Sequence, residues 1–343
     1  MTLPPELLVA DVPQAPPPVA TGRDRRGAGR VRVVLRRFLA NRGAAAGALV
    51  ILALFVLAFA GPHLTRWSYA SVDYEAIRTP PGAAHWWGTN AIGQDVFAQT
   101  VRGLQKSLLI GLLVALFSTG AASLVGACAG YFGGWTDRVL MFLVDLLLVF
   151  PGFLVIAIVS PRLKSAGWIA FVGLLALFGW MITARVVRSM TLSLRDRDFV
   201  RAARFMGLHP FRVIVRHILP NVASFLIIDA TIQVGGAVMS ETGLSYFGFG
   251  VQPPDVSLGT LIADGTNSAL TFPWMFFFAA GLLVVFVLAV NLVGDGLRDA
   301  LDPTSDRARR RARRRTRRAA GRTGAAEAAG AAGAGDDRAE ATA

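Results

Sequence analysis

The sequence predicts an all-α membrane protein with six transmembrane helices and both termini in the cytoplasm. Three observations carry that expectation. Hydrophobic residues make up 54% of the 343-residue chain and charged residues only 17%, with a mean hydropathy of +0.51. That leaves too little polar surface to solvate a soluble globule of this length. Six apolar stretches reach the roughly 20 residues that a spanning helix needs. Arginine and lysine are distributed unequally between the segments that join them.

Residues 1–42 form a Pro-rich polar lead followed by a basic stretch. The first apolar run, 43–62, starts too late and is too long for the core of a secretory signal, so it is expected to remain as a membrane helix. The others follow at 107–130, 139–160, 167–184, 222–240 and 275–296, giving a transmembrane domain over 43–302. Gly43 and Gly47 in the first run, and Gly126 and Gly130 in the second, lie four apart on one helical face. They allow close packing on another helix, within this chain or outside it. Residues 303–343 pass from an arginine block to Ala, Gly and scattered acids, with no apolar face, and are expected to be a disordered cytoplasmic tail. Near anionic lipids such arginines are attracted by about 1 kcal/mol each; a plain solvated tail is the alternative.

Orientation follows from the basic residues. Arg23, Arg25, Arg26, Arg30, Arg32, Arg36, Arg37 and Arg42 precede the first run, Arg138 the third, and eight arginines lie between 185 and 216. The opposite side holds Arg66, Arg78, Arg102, Lys106, Arg162 and Lys164. The positive-inside rule places the first set, and both termini, in the cytoplasm. Two long outer loops result, 63–106 and 241–274. The net charge of +13 brackets the spans rather than forming a groove interleaved with stacking aromatics, so no nucleic-acid partner is expected. Trp67, Trp86, Trp87, Trp135, Trp168 and Trp274 fall near span ends, where they are expected as belt anchors.

The segment 191–221 stands apart, with VRAARFMGLHPFRVIVRHILPN at 200–221. Asp198 is placed to cap a short helix, Ala202 and Ala203 favour it, Gly207 interrupts it and Pro210 opens another turn. Leu219 and Pro220 are expected to end it before the fifth span. Small side chains at Ala202 and Ala203 let another surface approach, and Gly207 permits a tight bend. These features suit a knob that enters a cleft. A helix lying on the headgroups through Arg201, Arg204, Arg212 and Arg216 fits the same residues.

The spacing Ala202-Ala203, Gly207, Leu219-Pro220 resembles the EAA loop of permease subunits from ATP-binding-cassette importers. Four further stretches agree in order: HWWGTNAIGQDVF at 85–97, GYFGGWTDRVLMFLVDLLLVFPG at 130–152, ETGLSYFGFGVQPPDVSLGTLIADG at 241–265 and NLVGDGLRDALDP at 291–303. Together they resemble the C-type subunits of dipeptide and oligopeptide permeases, and His217 is similar to the peptide and nickel branch. The resemblance implies the type I importer permease fold. It also implies that Arg201, Ala202, Ala203, Gly207, His217, Leu219 and Pro220 couple the chain to the ATPase. Arg201 departs from the family's usual Glu. Asn90 and Gln94 stand where relatives carry Asp and Arg; on a helix they would face each other, and they are expected to exchange a weak ion pair for a hydrogen bond.

Ionisable residues at membrane depth are costly and face protein or water. Asp145 lies two turns into the third span, ahead of Pro151, and Asp229 at similar depth in the fifth. Each is a candidate for the pathway or gate, or for an ion pair with Arg185 or Arg188 that fixes helix register. Glu241 ends the fifth span near the expected outer mouth, either as an acid attractive to cationic cargo or as an ordinary helix-end residue.

No catalytic constellation is present in the sequence. His63, His85, His209 and His217 lack metal-site spacing, no glycine loop ends in Lys-Ser/Thr, and no cofactor is expected in the chain itself. Cys128 is the lone cysteine. The resemblance implies two cytoplasmic ATP-binding subunits, a second, non-identical permease subunit and an extracytoplasmic solute-binding protein. Peptides are the expected cargo, with nickel chelates or glutathione-like compounds as alternatives. A membrane scaffold that recruits cytoplasmic factors is the reading from another class.

Overall fold

A computed structural model describes residues 26–162 and 167–301, all helix and connecting loop among the described residues apart from two isolated β-bridges. Expectations for the lead before residue 26, for Lys164 and for the tail beyond 301 fall outside them. In chain order the helices are α1 (Arg26–Ala40), α2 (Arg42–Ala60), α3 (Val96–Phe132), α4 (Gly134–Val149), α5 (Gly152–Val159) and α6 (Gly167–Gly179). They continue as α7 (Met181–Arg195), α8 (Asp198–Phe205), α9 (Pro210–Val213), α10 (Leu219–Tyr246), α11 (Leu258–Thr266) and α12 (Trp274–Leu301).

Four described segments are long and apolar enough to cross a membrane, and two bent pairs bring the number to six. The third and fourth expected spans are the bent ones: α4 meets α5 at 75° and α6 meets α7 at 46°. Pro151 causes the first bend. It withholds an N–H and forces Phe150 into an extended conformation with ψ 131°. The second break falls at Gly179 and Trp180, and α7 then runs on to Arg195, past the expected boundary at 184.

Two other boundaries shift. Helix α3 begins at Val96, not 107, and its 37 residues make a rod of about 55 Å, against about 30 Å of hydrocarbon. Asp95 starts it by accepting a hydrogen bond from the Ala98 N–H at 2.7 Å, a side-chain cap that satisfies an orphan donor. Helix α10 continues through Glu241 to Tyr246, so the second outer loop starts later than the sequence suggests and contains α11 within it.

Helix α3 is the axis of the molecule and joins all four buried clusters. Its contact with α7 is the tightest. A Cβ on Gly126 would stand 2.8 Å from Val187 Cβ, and one on Gly130 would stand 2.7 Å from the Arg188 carbonyl oxygen. A Cβ on Gly47 would likewise meet the Ala289 carbonyl oxygen of α12 at 2.8 Å. Both glycine pairs are therefore used in packing within the chain. Gly133 and Gly134, at φ 66° and 55°, turn α3 into α4 through a left-handed conformation open to glycine at little cost.

Candidate functional site

The segment after α7 folds back on the bundle as a braced knob. Val200 and Ala203 of α8 are fully buried, as are Val213, Ile214 and Ile218, against Ala127 and Tyr131 of α3 and Val187 of α7. The Arg204 guanidinium lies 4.5 Å from the centre of the Tyr131 ring and donates to its hydroxyl at 3.2 Å. On the outward side, Phe205 is 88% and Met206 74% exposed, with Arg201 and Ala202 beside them. The two alanines expected to act alike are thus divided. Ala202 faces out, whereas Ala203 has no exposed surface.

Helix α8 ends as its sequence suggests. Gly207 takes φ 75°, and the N–H groups of Met206, Gly207 and Leu208 return to the carbonyls of Ala202, Arg204 and Ala203. Asp198 is not the cap; Arg197 occupies that position, and no side chain bonds to the helix start.

Leu219 and Pro220 do not end a helix here. The chain is helical from Pro210 to Tyr246, with a π turn at Ile214–Ile218 just ahead of Pro220. Proline supplies no N–H to the carbonyl four residues back and crowds it, and a wider turn relieves both demands. Asn221 donates its side-chain amide to the His217 carbonyl, one turn back, at 2.6 Å. His217 therefore sits inside the distorted turn and Pro220 on its exposed rim.

Asp145, Asp229 and Glu241, the three acids expected in or at the end of spans, have different surroundings. Asp145 pairs with Arg185, and both side chains remain open, at 59% and 50% exposure. Arg188 pairs instead with Asp137 in a two-pronged contact whose second arm is 2.6 Å. Asp229 accepts from the Thr183 hydroxyl at 2.9 Å and from the Gln233 amide at 3.3 Å. One turn further along α10, Gln233, Gly236 and Ser240 border a cleft of about 480 Å³ between α5, α6 and α10, floored by Val114 and Ile156. A discontinuous polar edge thus runs from Asp145–Arg185 past Asp229 to Ser240.

Glu241 is enclosed rather than open. It is 0% exposed and accepts from the hydroxyls of Ser107 (3.2 Å), Ser245 (2.6 Å) and Ser257 (2.5 Å). Each serine in turn accepts a backbone N–H: Leu258 on Ser107, Val251 on Ser245 and Thr260 on Ser257. The carboxyl group is the knot that ties the α10–α11 connection to α3. Replacing it by alanine would leave three buried hydroxyls short of an acceptor, at about 1–3 kcal/mol each. Glu241→Ala is expected to lower the unfolding temperature of the purified complex by several degrees, and Glu241→Gln by less. Equal unfolding temperatures for wild type and Glu241→Ala would refute the knot.

At the same end of the bundle, residues 64–95 fold against the start of α3. Asn90 donates to Gln94 at 3.0 Å as the spacing suggests, but on a turn rather than a helix, and Gln99 joins them as a third amide. His85 lies between Asp95 at 2.8 Å and Asp73 at 3.4 Å, under the Trp67 ring. The Glu75 N–H, and then His85, hold the Asp73 carboxyl below its ordinary range. Trp67 donates to Ala84 O and Trp274 to Thr89 O, so these two rings also lock the loop. Among the described residues, no group of His, Cys, Asp or Glu is placed to hold a metal ion.

Sequence reasoning misses Tyr131, the Asp137–Arg188 pair and the serine cage. The first two leave a signal in retrospect: an aromatic and an acid flanking the Gly-Gly turn, opposite a helix rich in arginine. The cage leaves only Ser245, one turn after Glu241 on α10, because Ser107 and Ser257 come from other segments.

The chain is similar to known transport proteins over most of its length. Residues 122–307 match the family described as binding-protein-dependent transport system inner membrane component, and residues 30–81 match the N-terminal transmembrane domain of oligopeptide transport permease C. The oligopeptide transport system permease protein OppC of Mycobacterium tuberculosis is 60% identical over 283 residues, 82% of this chain and 97% of that one. The protein of the same name from Bacillus subtilis is 33% identical over 267 residues, 78% and 87% of the two chains. Among solved structures, an inward-facing MetNI methionine ABC transporter aligns at 20% identity with a TM-score of 0.49, covering 60% of this chain and 96% of that one.

Proposed function

Because the chain belongs to the binding-protein-dependent transport system inner membrane component family, we propose that its cargo is peptide and that α8 is the part an ATPase moves. It is a multi-pass inner-membrane permease subunit of an ATP-binding-cassette importer. Two cytoplasmic ATP-binding subunits supply the energy, a related, non-identical permease completes the pathway, and an extracytoplasmic binding protein delivers the peptide. The end that carries α1 and α8 faces the cytoplasm, in keeping with its arginines.

One observation carries the coupling role: α8 is buried on one side against α3, α7 and the base of α10, and presents Phe205 and Met206 on the other. A force applied to the exposed side reaches three spanning helices through packed side chains rather than through a loose loop. Interiors packed to this density transmit displacement. The π turn and Pro220 place a compliant point where α10 leaves the knob. Arg201, Ala202 and Gly207 shape the exposed seat, and Ala203, Leu219 and the turn containing His217 form its brace.

The pathway follows the edge from Ser240 and Gln233 to Asp229. Asp145 and Arg185 are an ion pair about half exposed in the isolated chain, and at membrane depth such charges need water or protein around them. That face is covered by the second permease and by the aqueous pathway. Closure of the ATPase rocks the helices between outward- and inward-open arrangements.

Proteoliposomes containing the whole complex, with ATP and peptide-loaded binding protein, test this reading. ATP-dependent accumulation of labelled peptide is expected. Uptake of a nickel chelate or glutathione in place of peptide would move the cargo to those alternatives. A chain that purifies with no ATP-binding subunit would favour the scaffold.

A further inference from the structure

The charge on the knob is one-sided. From Arg195 to Arg216 the chain carries six arginines against Asp196 and Asp198. Two arginines are used internally: Arg195 donates to the Gly130 carbonyl at 3.3 Å, and Arg204 is held by Tyr131. Arg197, Arg201, Arg212 and Arg216 are exposed. None of these four has a carboxylate within ion-pair distance among the described residues. Arg201 lies one turn before Phe205 on the outward face of α8, so the cation borders the apolar tip formed by Phe205 and Met206.

We propose that α8 fits an ATP-binding subunit whose groove has an apolar floor and a rim of aspartate or glutamate, with Arg201 as the residue that selects that rim. This rests on the reading of α8 as the ATPase seat. Buried apolar anchors supply most of the affinity of such a contact, and rim charges decide which partner is accepted and how fast it docks. Four uncompensated guanidinium groups on one segment, with Arg201 a single turn from the apolar tip, repel a basic groove and are neutralised by an acidic one.

Position favours a protein groove over lipid headgroups. The last two turns of α7 carry Arg188, Ser189, Thr191, Ser193 and Arg195, so α8, which follows them, lies at a polar end of the bundle, packed on it through Val200 and Ala203, with Arg201 beside the exposed Phe205 and Met206.

The test is retention of the ATP-binding subunit by the purified complex over a KCl series. Retention by wild type is expected to fall with salt, since exposed charge pairs are screened within about 8–10 Å at moderate ionic strength. Arg201→Glu is expected to weaken retention at least about tenfold, Arg201→Lys little. Reversing one rim carboxylate of the ATPase to arginine is expected to restore the Arg201→Glu complex. Wild-type retention by Arg201→Glu, or retention insensitive to salt, would overturn the acidic rim. So would unchanged ATPase retention by Arg201→Glu with lost binding to phosphatidylglycerol vesicles, which would assign the arginine to lipid. Phe205→Asp separates the two levels, because the side chain is solvent-facing and the fold does not depend on it. If Phe205→Asp releases the ATPase and Arg201→Glu does not, the seat stands and its charge assignment falls. If neither releases it, the seat itself falls.

Discussion

An Ala203→Glu complex is expected to lose ATP-dependent uptake and to release its ATP-binding subunits. Ala203 has no exposed surface and packs in the cluster built by Ala127, Tyr131, Val187, Ile214 and Ile218. The buried members of that cluster are apolar apart from Tyr131, whose hydroxyl already accepts from Arg204. An uncompensated buried charge costs about 3–5 kcal/mol, and the cheapest relief is for α8 to swing away from the bundle. The variant therefore disconnects the knob from its brace even where the spanning helices still fold. Ala202→Glu provides the contrast. Its side chain points to solvent, so the isolated permease should keep its unfolding temperature while docking alone suffers. The checks are unfolding temperature and ATPase retention for the two variants. A stable Ala203→Glu permease that keeps its ATPase would contradict the brace.

Gly126→Val is expected to strike the fold itself. The added Cβ alone would stand 2.8 Å from Val187 Cβ and 3.1 Å from the Arg188 amide nitrogen, and nearer still to the Ala184 carbonyl oxygen. Two of these neighbours are backbone and cannot yield by rotating. Overpacking of a core typically costs about 1–3 kcal/mol, occasionally more, and contact with helix backbone belongs at the upper end. Separating α3 from α7 also pulls on the Asp137–Arg188 pair and on Arg195, which anchors to Gly130. The expected result is low yield in the membrane and an unfolding temperature several degrees below that of wild type. Gly173→Val serves as the control, because a Cβ added at that glycine would meet no atom within 4 Å. Equal yields for the two would show that α3 and α7 are not held this closely.

Much of the fold is legible in the sequence because the bilayer demands it. A run such as 43–62 has one physical use, and α2 follows it within two residues at each end. Local chemistry is legible too: Gly207 does take a left-handed conformation, and Asn90 does bond to Gln94. What escapes depends on contacts between distant segments. The residues at 96–106 are too polar to announce a helix in membrane, yet the Asp95 cap and packing against the α10–α11 connection carry α3 through them. Glu241 looks like an exposed helix end until Ser107 and Ser257 are brought to it. Ala202 and Ala203 are identical in composition, and only the rotation of α8 on its cluster decides which one a partner can touch.

The central claim is that the exposed face of α8 rests in a motor outside this chain while its other face drives the helices. A photocrosslinking residue placed at Phe205, in the complete complex in membranes, tests it most directly. The account predicts a single dominant product joining the permease to an ATP-binding subunit, with a yield that changes between nucleotide-free and ATP-bound states. Labelling of lipid alone, or of a protein on the extracytoplasmic side, would contradict it.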